Sequence, residues 1–144
     1  MSPAEIVAQY FTYLNGYNLD GLASLLAGNF THEFRPASIG GMGAPVRNGP
    51  QLVDWLENLQ KLIVVLNFNA PIETIVADNT VVVHVTSEGQ TPALNKSFPN
   101  EHLFIFHFEG GKISSIKEFM DSKYVAQLAE DEKAAGFGLN RHEV

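Results

Sequence analysis

Residues 101–119 read EHLFIFHFEGGKISSIKEF, and this stretch decides the fold. From Glu101 to Glu109, His102, Phe104, Phe106 and Phe108 fall on one face and Leu103, Ile105 and His107 on the other, which is the period of a strand. Gly110-Gly111 supplies the pair of flexible residues that a two-residue hairpin turn requires. Lys112 to Phe119 then returns as a second strand. Upstream of this hairpin, Thr80 to Glu88 is a valine-rich strand entered through an Asp78-Asn79 turn. Leu66 to Ala77 reads as one more extended segment, and Gly89 to Pro99 as a looser connection.

The first half is helical by contrast. Ser2, Pro3 and Glu5 carry the signature of a helix start. Ile6, Val7, Tyr10, Phe11, Leu14 and Tyr17 follow at helical spacing. A short second helix is expected from Leu19 to Leu26, stopped by Gly28, then a strand from Asn29 to Pro36. Ala37 to Asn48 is a loop rich in glycine. A third helix begins near Pro50, with Leu52, Trp55, Leu56, Leu59, Leu62 and Ile63 as its apolar stripe. A last short helix, capped by Asp121 or Ser122, carries Tyr124, Val125 and Leu128. Helices gathered early and strands gathered late give an α+β class, with about three to four helices and a sheet built of antiparallel hairpins.

The chain has 144 residues and is expected to form a single domain over 1–144, with a polar tail from about Glu130. A domain of this size buries roughly 70% of its unfolded surface, enough for a core without staples. Cysteine is absent, which removes disulfides and thiolate ligands. A net charge of −7 argues against nucleic acid and against anionic membranes, since both require clustered Lys and Arg. No secretory signal is visible and no run is long and apolar enough to span a bilayer, so the expected location is the cytoplasm. The Asn29-Phe30-Thr31 and Asn95-Lys96-Ser97 sequons carry no weight in that setting.

The order of elements resembles the cone-shaped fold of SnoaL-like polyketide cyclases, ketosteroid isomerase and nuclear transport factor 2, with the SnoaL-like branch the nearest. The resemblance is carried by Asn29-Phe30-Thr31-His32, by the helix after Asn48-Gly49-Pro50, and by Asn100-Glu101-His102-Leu103-Phe104 through Gly111-Lys112-Ile113 to Glu118-Phe119. It covers about Pro3 to Leu128. It implies a cavity between the concave sheet and the helices. In the cyclases an Asp on the last strand is the acid/base, and Glu118 stands at the matching position. His102 matches a pocket amide, His32 a pocket Asn, and Phe104 a pocket His. The fold hosts cyclases, isomerases, dehydratases, epoxide hydrolases and non-catalytic binders, so the motifs do not select one chemistry. Its members often pair through the outer sheet face, which makes a homodimer using Thr80 to Glu88 an expectation.

The residues give their own reading. Alternation places Glu118 with Ile116 and Met120, where burial is expected to raise its pKa and suit it to proton transfer. The bland alternative is a solvent-facing Glu118 beside Lys117, with Ile113 and Phe119 in the core, which a bulge would produce. His32 between Phe30 and Phe34 is a proton partner or a hydrogen-bonded core residue, and His102 shares a cavity-like face with three phenylalanines. His107 points the other way, His84 lies on a polar stripe with Thr86 and Glu88, and no histidines show a metal-ligand spacing. Tyr13, Tyr17, Phe34, Trp55, Phe104 and Phe106 are the expected substrate-binding residues, the tyrosines as donors to a carbonyl. Gly40-Gly41-Met42-Gly43 fails as a phosphate cradle, because Pro45 follows and the third glycine is missing, and it reads instead as a pocket rim. No local motif of a Ser-His-Asp triad is present. The chemistry expected is acid/base, without cofactor, on an apolar oxygenated small molecule; the alternative is a non-catalytic module that binds a ligand or a protein.

Overall fold

Ser2 Oγ accepts the Glu5 amide at 3.2 Å and Pro3 occupies the first turn, so α1 starts where the sequence places it and runs Pro3–Asn15. The structure, a computed structural model, describes residues 1–36, 46–91 and 97–123. Helix α2 (Leu19–Ser24) is capped by Asn18 and shorter than expected. The chain has already become strand β1 (Leu26–Arg35) by Leu26, because the Ile113 amide takes the Leu25 carbonyl at 2.9 Å. Helix α3 (Gly49–Leu62) opens with a full capping box, Asn48 and Gln51 each accepting the other's amide.

Five strands follow: β2 (Val65–Phe68), β3 (Glu73–Ala77), β4 (Thr80–Gln90), β5 (Ser97–Glu109) and β6 (Lys112–Met120). The single extended segment expected over Leu66 to Ala77 is thus two strands. Pro71, with no N–H to give a ladder, sits in the break, and the two pieces pair with different halves of β4. Sheet order is β1-β6-β5-β4-β2, with β3 also on β4. Strands β2 to β6 pair antiparallel as expected, whereas β1 joins β6 in parallel. Asn15 fixes helix to sheet, accepting the Phe68 amide at 2.7 Å and donating to the Phe68 carbonyl at 3.1 Å. Gly110 and Gly111 have φ of 58° and 77°, the left-handed pair that the hairpin requires.

A register shift after His107 answers the parity question on β6. Ile113 and Ile116 are three apart, yet both are buried, because the bulge resets the alternation between them. Beyond it the register is unbroken, so Ile116 and Glu118 face inward and Phe119 lies on the outer face, 37% exposed. The sheet curls around a core in which Phe11 meets the rings of Phe68, Phe104 and Phe106. Tyr124, Val125 and Leu128 of the expected last helix, the Gly40 to Gly43 rim and the tail from Glu130 lie outside the described residues. At the start of that helix Asp121 Oδ1 accepts the Lys123 amide at 3.1 Å.

Candidate active site

Three inward positions on neighbouring strands put Glu118 at the centre of a polar trio in a largely apolar cavity. On β6, Glu118 lies opposite Phe104, which makes it the diagonal neighbour of His102 on β5. On the other side β1 sets Phe34 opposite Glu118, so His32 is again a diagonal neighbour. His102 Nδ1 lies 3.1 Å from Glu118 Oε2, and His32 Nε2 lies 3.4 Å from Oε1. All three side chains are buried.

The expected upward shift of Glu118 does not occur. Burial alone raises the carboxyl, but hydrogen bonds from His102 and His32, and their charge when protonated, outweigh it and hold the pKa down at about 2. Glu118 is therefore a carboxylate, which only accepts. Both facing nitrogens must then carry protons: Nδ1–H on His102 and Nε2–H on His32. That assignment leaves Nε2 of neutral His102 as an acceptor, and Ser87 Oγ sits 2.7 Å from it. It also leaves Nδ1 of His32 buried without a hydrogen-bond partner. Among the described residues no group of three or more His, Cys, Asp or Glu side chains is arranged to hold a metal ion.

The cavity has a volume of about 90 Å³. The trio, Ser87, Asn100 and Tyr10 supply its polar groups; Phe34, Trp55, Leu52 and Leu59 are among its apolar walls. Of the residues singled out from sequence, Glu118, His102, His32, Phe34 and Trp55 line one cavity. The other four do not line it. Phe104 and Phe106 are fully buried in the layer beneath, stacked on one another and capped by Phe11. Tyr13 packs over Gly21 of α2, where an added Cβ would come within 2.8 Å of its ring. Tyr17 donates its hydroxyl to the Ile63 carbonyl at 2.7 Å, tying the end of α1 to the end of α3. Tyr17→Phe should cost about 1 kcal/mol in urea denaturation, the net worth of one such bond, and leave ligand affinity unchanged.

The tyrosine in the cavity is Tyr10. Helical spacing carries its signal: Ile6, Val7, Tyr10, Phe11 and Leu14 form the buried face of α1, and Tyr13 is one step off it. Burial first, and the Glu118 charge second, push the Tyr10 hydroxyl upward, so it stays a donor. Arg47 lies outside every helix and named strand, so no periodicity singles it out. It is buried, exchanges two 2.8 Å backbone hydrogen bonds with His32, and places its guanidinium 5.2 Å from the ring centres of both Phe34 and Trp55. On the outer face His84 pairs with Glu101, and His107 with Thr80 at 3.2 Å, both away from the cavity.

The family model for SnoaL-like domains matches residues 7–116. By sequence, no curated protein matches the chain. Among solved structures, PrhC from Penicillium brasilianum is similar over 95% of this chain and 93% of its own, with 14% identity and a TM-score of 0.82. The BvnE pinacolase from Penicillium brevicompactum is similar over 90% and 93%, at 20% identity and a TM-score of 0.79. TerC, co-crystallised with polyporic acid, is similar over 90% and 99%, at 18% identity and a TM-score of 0.78. At these identities the likeness is one of fold, and the α+β cone expected from the resemblance is that fold.

Proposed function

Because the chain belongs to the SnoaL-like domain family, we propose that it is a cofactor-independent acid/base enzyme acting on a small, apolar, oxygenated metabolite, through isomerisation, cyclisation, dehydration or hydration. One observation carries the reading: a buried carboxylate held between two imidazoles in the lining of a largely apolar cavity. With its pKa near 2, Glu118 is too weak a base to take a proton from carbon or hydroxyl efficiently near neutral pH. Its role is to hold His102 and His32 in one tautomer and to stabilise whichever imidazole gains a proton. His102 carries the proton, with Tyr10 or Asn100 donating to the substrate oxygen. The pinacolase among the fold relatives, and the relative co-crystallised with polyporic acid, are consistent with a small-molecule cavity of this kind. An intracellular homodimer joined through the outer sheet face, where Ile75, Leu103 and Phe119 are exposed, belongs to the same proposal.

The cavity volume favours a second reading. About 90 Å³ is well below the ~300 Å³ of ordinary ligand pockets, so a larger ligand requires side chains to move. A non-catalytic binding module needs no such space. The two readings part in one experiment: native mass spectrometry of the purified protein after exposure to an extract of its source. A retained small molecule that wild type converts and Glu118→Gln leaves unchanged supports the enzyme. A co-purifying polypeptide with no small molecule supports the module.

A further inference from the structure

Ser87, His102 and Glu118 form a string that the acid/base reading does not require. Ser87 Oγ is 2.7 Å from His102 Nε2, and His102 Nδ1 is 3.1 Å from Glu118 Oε2. The hydroxyl is on one ring nitrogen, the carboxylate on the other, and all three side chains line the cavity. This is the arrangement that activates a serine: the imidazole takes the hydroxyl proton and the carboxylate stabilises the resulting imidazolium. No local motif announces it, because each member comes from a different strand. Ser87 is on β4, two residues from the His102 partner Val85, and Glu118 is on β6 opposite Phe104. Two donors stand nearby. Asn100 lies directly across the ladder from Ser87, and its Oδ1 is occupied by the Glu101 amide at 2.8 Å, which leaves its Nδ2 hydrogens for a ligand. Tyr10 lines the same cavity, and its hydroxyl stays protonated.

We infer that Ser87 is a nucleophile and that the cavity has a second activity, acyl transfer from small esters of short-chain acids. Ser87 Oγ bonds to the ester carbonyl carbon while its proton passes to His102 Nε2. Asn100 and Tyr10 donate to the carbonyl oxygen as it gains charge. The bond from carbonyl carbon to alcohol oxygen then breaks, and His102 returns the proton to the departing alcohol. Water repeats the sequence on the acyl-serine, giving its proton to His102 and releasing the acid, and Ser87 recovers its proton. The net change is ester plus water to acid plus alcohol. The limited cavity volume suits a short acyl group.

The inference uses the same cavity as the proposed function but a probe of its own, so either can fail alone. Wild-type protein is treated with a small dialkyl fluorophosphate, which leaves a stable phosphoryl group on a nucleophilic serine as fluoride departs. The modified residue is mapped by peptide mass spectrometry, and p-nitrophenyl acetate hydrolysis is followed in parallel. The expected result is one phosphoryl group, on Ser87, with ester hydrolysis lost in Ser87→Ala and recovered in part by Ser87→Cys. His102→Ala should slow labelling by roughly 100-fold or more. Wild type left unlabelled at Ser87, or labelling as fast in a folded His102→Ala, overturns the inference. The proposed function fails differently, by the absence of any retained and converted metabolite.

Discussion

Glu118→Gln should lower turnover by roughly 10²–10⁴-fold, the range for disabling a positioned acid/base group, here His102, while the protein remains folded. The amide keeps one acceptor and presents one donor pair, so one of the two histidines must change tautomer to meet the NH₂. The costs of the two changes differ. If His32 moves its proton to Nδ1, an N–H is stranded at an atom that is buried without a partner, at about 1–3 kcal/mol. If His102 moves its proton to Nε2, that N–H finds Ser87 Oγ at 2.7 Å, and the hydroxyl hydrogen only has to rotate. His102 is therefore the ring that switches. The switch removes the acceptor facing Ser87 as well as the charge that would stabilise an imidazolium, so proton transfer and serine activation fall together. Long-range ¹H–¹⁵N correlation spectra, recorded where both rings are neutral, report the tautomers directly. Wild type should show Nδ1–H on His102 and Nε2–H on His32, and the variant should move only the first. A variant in which His102 keeps its proton on Nδ1 would contradict this account of the site.

The pattern of residues carried the strand faces further than it carried the site. Period-two alternation placed Phe30, His32 and Phe34, and separately His102, Phe104 and Phe106, on buried faces, because that period is a property of each strand alone. The family resemblance pointed to His32, His102 and Glu118 as sharing a cavity. What alternation cannot give is depth. Phe104 and His102 share a face, yet Phe104 lies under α1 and His102 stands at the cavity. Pairing direction was equally hidden: β1 reads the same whether it joins β6 parallel or antiparallel. The pKa of Glu118 was misread for a related reason. Burial is visible in one strand's pattern, but the two hydrogen bonds that overrule it come from two other strands. Ser87 was invisible as a nucleophile until register placed it diagonal to His102, and Arg47 until its backbone bridge to His32 set it beside Phe34 and Trp55.

The same depressed pKa makes a statement about stability. Glu118 titrates near 2 in the folded chain against an ordinary value of 4.5, so the folded state holds the carboxylate more tightly than the unfolded state does. The stabilisation is fully present above about pH 5 and drains away as pH falls through 4.5 toward 2, because below that range both states are protonated. Its size is on the order of 3 kcal/mol. The loss has a physical agent. Protonated Glu118 no longer accepts from both His102 and His32 as the carboxylate does, and the Arg47 guanidinium is close enough to feel the loss of its charge. Urea denaturation of wild type and Glu118→Gln, compared above about pH 5 and again near pH 2, isolates this contribution from the other carboxylates. Wild type should lose most of its advantage over the variant in acid. Parallel decline of the two proteins would mean that the histidines do not hold Glu118 as a carboxylate, and the assignment of protons on which both proposed chemistries rest would fall with it.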